Sequence, residues 1–192
     1  MGESEKTNVG IFGGSFNPPH VGHVLAVALA FTQFEVGRVV VIPTFRHPFA
    51  KELVDYNDRI AMCERAMGWL PRVEISRIEE QLGGESRTLR TLEHLQDAHP
   101  DWSLRLIMGA DLLAESSKWF GFERIAELAP PIVLGRVGVA LSDMPPPVLP
   151  SISSTEVRAM LARGDVEAAS AFVPRAVLAY IQEHALYTER AR

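Results

Sequence analysis

The stretch "GIFGGSFNPPHVGHVLAVALA", residues 10–30, decides the fold. An apolar run from residue 8 to 14 ends on paired glycines, which reads as a short buried strand. The apolar segment 21–34 then reads as a helix, hydrophobic nearly all round. Between them lies a tight loop carrying two prolines and His20, with His23 three positions on in the helix. "VGRVVVIPT" (36–44) follows as a second buried strand, β-branched and stopped by Pro43.

The same alternation continues outward. Helices are expected at 57–70, opening on Asn57 or Asp58, at 86–100, ended by Pro100, and at 122–129. Strands are expected at 72–76, 103–109 and 131–135. Strands alternating with helices imply right-handed crossovers, hence an α/β, Rossmann-like, doubly wound parallel sheet of about five strands in the order 3-2-1-4-5. Residues 136–150 hold four prolines and read as an extended surface loop. Helices at about 154–163, 166–171 and 174–184 close the chain as a small C-terminal extension. A single domain over 1–192 is expected, with 1–150 as the core and 151–192 as the helical part.

Bulk composition narrows the classes. The 192 residues are 47% hydrophobic and 22% charged, the balance of an ordinary globular domain. A net charge of -5 and a pI near 5.7 argue against broad capture of nucleic acid or anionic membrane, so an anionic ligand must meet placed residues. Cys63 is the only cysteine and sits in a helical pattern, as packing material. No apolar run approaches the roughly 20 residues of a membrane span, and no signal peptide opens the chain, so a cytoplasmic location is expected.

In an open parallel sheet, ligands bind beyond the carboxyl ends of the strands where strand order reverses, and the loop after residue 14 lies there. Gly13 and Gly14 let backbone approach a phosphate, and the helix behind offers free N–H groups. His20 and His23 can each donate to phosphate oxygens and, when protonated, add charge. An H-x-x-H pair also suits a metal, but no third ligand stands at useful spacing and H-E-x-x-H is absent, so no metal site is assigned. A plain structural turn remains the bland reading. G-x-G-x-x-G and G-x-x-x-x-G-K-[ST] do not occur. Downstream, "SISSTEVR" (151–158) has the S-x-x-E form of a capping box at Ser153 and Glu156, with Arg158 one turn in.

"GGSFNPPHVGH" resembles the signature of the nucleotidyltransferase superfamily, with its (T/H)-x-G-H core at His20-Val21-Gly22-His23. "ISSTEVR" resembles that superfamily's I-S-S-T-x-[IV]-R motif. From about residue 8 to 187 the chain is similar to the bacterial nicotinate-nucleotide adenylyltransferases. "SRTLRTLEHL", "IMGADLL", "KWFGFERIAELA" and "FVPRAVLAYIQEHALY" resemble segments of that family outside the ATP motifs.

The resemblance implies transfer of AMP from ATP to nicotinic acid mononucleotide, by direct in-line attack. His20, His23 and Arg158 are then the catalytic groups. ATP would meet Gly13, Gly14, Ser15, Phe16, Gly109, Asp111, Ile152, Ser153 and Ser154 as well. Asn17, His47, Lys51, Arg87, Thr88, Trp119 and Arg136 would surround the mononucleotide. Mg²⁺ would arrive bound to the ATP phosphates. Asp111 would hold the ribose hydroxyls, its plainer role being a helix cap; Trp119 would stack on the pyridine ring, its plainer role being a core aromatic.

The chain departs from the family pattern at several positions. Asn17 replaces the acidic residue of G-G-[ST]-F-D-P, "RHPFAKEL" matches P-P-H-K only loosely, Phe122 replaces a second tryptophan, and Arg87 replaces the aromatic of S-Y-T. Arg87 is expected to grip the substrate carboxylate, an exposed solvent-facing arginine being the equal alternative. Rival readings are nicotinamide mononucleotide or phosphopantetheine as the acceptor, or a nucleotide-binding regulator without turnover. Whether the chain forms a homo-oligomer is left open by the sequence.

Overall fold

A computed structural model describes residues 6–46, 52–116, 119–138 and 146–188. Its centre is a six-stranded parallel sheet in the order β3-β2-β1-β4-β5-β6. The strands are β1 (Thr7–Gly14), β2 (Arg38–Pro43), β3 (Val73–Ile75), β4 (Trp102–Gly109), β5 (Pro131–Arg136) and β6 (Pro147–Leu149). The expected order 3-2-1-4-5 is present, and the count of five is corrected to six.

The added strand lies inside the stretch read as an extended loop. Residues 147–149 pair with β5 across a register shift between Gly135 and Arg136. Pro147 lacks an amide donor, yet it opens an edge strand, the position where a sheet tolerates proline. Residues 139–145 of that loop lie outside the described residues.

Helices cover both faces, which the sequence encodes by pleat alternation. In β2, Val39 and Val41 enter one core with Phe12, Ile107 and α1 (Val21–Gln33), whereas Val40 and Ile42 enter the other with Ile11, Leu92 and Leu106. The first core also takes α2 (Tyr56–Met67), α7 (Ser154–Ala162), α8 (Val166–Ser170) and α9 (Arg175–Glu183); the second takes α4 (Thr88–Ala98) and α6 (Phe122–Leu128). Two five-residue helices, α3 (Ile78–Leu82) and α5 (Ala110–Ala114), were not expected, being too short to show a helical period. Among the described residues no helix is long and apolar enough to cross a membrane.

Candidate active site

Strand order turns between β1 and β4, and the residues of interest gather at the carboxyl ends of these two strands. A Cβ added at Gly13 would meet nothing within 4 Å, so this backbone faces open space. One at Gly14 would lie 3.1 Å from the Phe16 ring, which folds back over it. Phe16 itself has φ 47, a left-handed conformation unusual for a bulky side chain. Its ring is buried edge-on against Phe12 at 5.5 Å and His23 at 5.0 Å. The loop is therefore held by aromatic packing.

His20 is the N-cap of α1, and its backbone N–H donates to Nδ1 of His23 at 3.0 Å. That bond fixes the tautomer: with Nδ1 accepting, the proton of neutral His23 sits on Nε2, the outer nitrogen. The two rings lie 3.8 Å apart at 31°. Gly22 permits this, since a Cβ there would stand 3.1 Å from His20 Nδ1 and Cε1. Burial pulls the His20 imidazole down to about 4, the Arg136 cation pushes it the same way, and Glu156 opposes. Burial, then His20 and Arg136, hold His23 well below its ordinary value. Both histidines thus enter as neutral donors rather than as cations, and positive charge must come from arginine.

The second motif reaches the same loop from 136 and 141 positions away. At the start of α7, Ser153 Oγ accepts from the Glu156 N–H at 3.2 Å while the Glu156 carboxylate accepts from the Ser153 N–H at 2.7 Å, the expected capping box. Ser154 Oγ donates to the Pro18 carbonyl at 2.9 Å. Arg158 Nη1 donates to the Asn17 carbonyl at 2.7 Å, and its Nη2 to Thr155 Oγ1 at 3.2 Å.

Across the crevice, Arg136 at the end of β5 pairs with Asp111 at 2.9 Å and donates to the Ile152 carbonyl. The Ile152 side chain is buried. The second carboxylate oxygen of Asp111 is buried with no hydrogen-bond partner and would clash with a Cβ on Gly109, so a side chain at 109 would push that carboxylate aside. Asp111 does not cap α5; it orients an arginine and keeps an acceptor in reserve.

The expected mononucleotide residues are dispersed in character. The Asn17 side chain is buried and its Oδ1 accepts from Tyr187 Oη at 2.8 Å and the Val54 N–H at 3.3 Å, so it braces the loop. Trp119 is half-buried, edge-on to Phe122 at 6.1 Å. Arg87, the N-cap of α4 just before Thr88, is exposed, paired with Glu85 at 3.0 Å and placed 5.4 Å over the Phe120 ring. His47 and Lys51 lie outside the described residues.

Two braces escaped the sequence reading. Glu79 accepts from the Phe45 N–H at 2.9 Å. Arg59, 2% exposed, donates to the carbonyls of Ser15 at 3.1 Å, Thr44 at 2.6 Å and Val54 at 3.1 Å. The signal for Arg59 was its spacing: it falls three, four and seven positions before the buried Met62, Cys63 and Ala66, a charge on the apolar stripe of α2.

At the switch point of the parallel sheet, an H-x-G-H helix start meets a capped I-S-S-T helix. The sequence model of the family described as "Cytidylyltransferase-like" matches residues 11–160. A probable nicotinate-nucleotide adenylyltransferase of Anaeromyxobacter sp. (strain K) is 46% identical over 186 residues, covering 93% of this chain and 96% of that one. One from Myxococcus xanthus is 41% identical over 183 residues, covering 93% and 94%. In fold, the chain is similar to a Plasmodium falciparum nicotinic acid mononucleotide adenylyltransferase complexed with NaAD, at a TM-score of 0.81 and 18% identity over 94% of this chain and 97% of that one. The chain belongs to the nicotinate-nucleotide adenylyltransferase family.

Proposed function

We propose that the crevice beyond β1 and β4 holds ATP and nicotinic acid mononucleotide together and transfers AMP between them, giving deamido-NAD and pyrophosphate. A phosphate oxygen of the mononucleotide attacks the α-phosphorus of ATP in line. The new P–O bond forms as the bond to the β-phosphate oxygen breaks, and pyrophosphate leaves with the electron pair. The attacking group is already an anion, so no strong base is required and catalysis rests on placement and charge neutralisation.

The donors present support the roles that the family resemblance implies. His23 offers its Nε2–H toward the transferring phosphate, with His20 beside it. Arg136 and Arg158 supply the cationic charge that two neutral imidazoles do not. Asp111, with one oxygen unpartnered, suits the ribose hydroxyls. Among the described residues no three His, Cys, Asp or Glu side chains group as a metal cage. Mg²⁺ carried on the phosphate oxygens would neutralise charge on the pyrophosphate. Trp119 and the 86–88 segment would border the pyridine ring, since Arg87 already lies over Phe120 beside Trp119. A biosynthetic role on small nucleotides fits a cytoplasmic setting.

The observation that carries this reading is the convergence of the two motifs: Ser154 and Arg158 bond the carbonyls of Pro18 and Asn17, in the very loop that leads to His20 and His23. The test is pyrophosphate release with ATP, Mg²⁺ and one acceptor at a time. Nicotinic acid mononucleotide is expected to give the highest kcat/KM, and His23→Ala to lose about 100-fold or more in kcat, the scale of a removed transition-state donor. Preference for nicotinamide mononucleotide or phosphopantetheine, or ATP binding without release, would replace the reading.

A further inference from the structure

We infer that Arg59 is a positioning residue for the triphosphate: its buried guanidinium pins three carbonyls in two crevice loops and so turns the Phe16 amide outward as a phosphate donor. The inference rests on the ATP site proposed above and adds a residue that touches no substrate.

Arg59 takes the interior side of α2, where an aliphatic chain would pack at far lower cost. No carboxylate among the described residues lies within ion-pair distance of it; burial lowers its pKa, and Asp55 and Glu79 act from farther off. Backbone carbonyls hold it instead, and their choice is informative. Ser15 follows β1, Thr44 follows β2 and Val54 precedes α2, so one planar group ties the ends of two neighbouring parallel strands to the entry of the next helix. The Thr44 N–H also donates to the Gly14 carbonyl at 2.9 Å, closing the same junction.

The consequence for the site follows from peptide geometry. A trans peptide directs its C=O and N–H to opposite sides, so drawing the Ser15 carbonyl inward onto Arg59 aims the Phe16 N–H away from the interior. That N–H has no hydrogen-bond partner among the described residues. The left-handed φ 47 of Phe16 belongs to the same turn, a costly conformation that persists only when its surroundings hold it on both sides. The buried ring is one hold and the Arg59 to Ser15 bond is the other. This cation beneath the loop, with no carboxylate in ion-pair contact, also adds to the attraction for a polyanion in a chain of net charge -5.

The test compares wild type with Arg59→Lys, which keeps the charge and loses the fork. Steady-state kinetics, calorimetric titration with Mg·ATP and thermal unfolding are measured on both. The KM and Kd for ATP are expected to rise about tenfold or more while the folded fraction at the assay temperature stays whole. A merely structural role would lower kcat in proportion to unfolded protein and leave the KM for ATP within about twofold of wild type, which overturns the inference. Should the variant not fold, the wild type decides. On adding Mg·ATP, the Phe16 amide resonance of labelled protein must shift and its exchange must slow; an unresponsive Phe16 amide overturns the inference. Weakened ATP binding in Arg59→Lys together with no pyrophosphate release by wild type would support Arg59 and sink the proposed reaction. Release by wild type with unchanged ATP kinetics in the variant would do the reverse.

Discussion

The two motif histidines are neutral for a reason visible at the level of single atoms. His23 Nδ1 is occupied by the His20 N–H, the two rings lie against each other and that of His23 against Phe16, so a proton on His23 would face burial, His20 and Arg136, and one on His20 burial and Arg136, with Glu156 opposing. Such depressed groups make stability depend on pH with a definite sign. The unfolded chain protonates His20 near its ordinary 6.5, whereas the folded chain resists until about 4. The stabilisation is therefore complete above pH 6.5 and is lost as pH falls through that interval, by about 3 kcal/mol. Urea midpoints are expected to drop steadily between pH 7 and 4.5. His20→Asn, which keeps a good N-cap residue, should flatten that slope. An unchanged slope in the variant would mean that His20 titrates as a free imidazole.

At the scale of elements, β1 to β5 and their order were legible because β-branched runs such as Val39 to Ile42 alternate with amphipathic helices. β6 was not, because Pro147 and the prolines flanking it signal a turn as strongly as an edge strand. The site was legible as two motifs, but its geometry was not. No local rule predicts a left-handed Phe16, a carboxamide at Asn17 turned inward, or Arg87 held by its near neighbour Glu85. The glycines show the difference most directly. Gly13 in β1 faces open space, whereas Gly22 in the first turn of α1 faces the His20 ring. Gly13→Ala is expected to leave the melting temperature unchanged and raise the KM for ATP about tenfold, because the methyl stands where a phosphate would pass. Gly22→Ala places a better helix former in α1, worth up to about 1 kcal/mol, yet must displace the His20 ring. Its kcat should fall with little loss of stability. If Gly13→Ala binds ATP normally, the phosphates do not run over that strand end.

Across the whole molecule, the C-terminal helices act as a clasp on the loop where the chemistry is placed. The Phe172 carbonyl accepts from the Val21 N–H at 2.8 Å, at the first residue of α1, and Tyr180 Oη donates to Asp58 at 2.8 Å on α2. Tyr187 Oη donates to Asn17 Oδ1 at 2.8 Å across 170 positions, and burial pushes the Tyr187 phenol up, so it stays a donor at every working pH. In a chain of net charge -5, the same loop is also held by Arg158 on the Asn17 carbonyl and Arg59 on the Ser15 carbonyl. Tyr187→Phe removes the hydroxyl and keeps the ring, so it should cost about 1 kcal/mol of stability. Combined with Asn17→Ala in a double-mutant cycle, it should show a coupling of about 0.5–1.5 kcal/mol, because each substitution deletes the same bond. The KM for ATP should rise in both single variants, since each loosens the loop from the tail. Strict additivity in stability with an unchanged KM would make the tail a packed cover, with no part in holding the nucleotide loop.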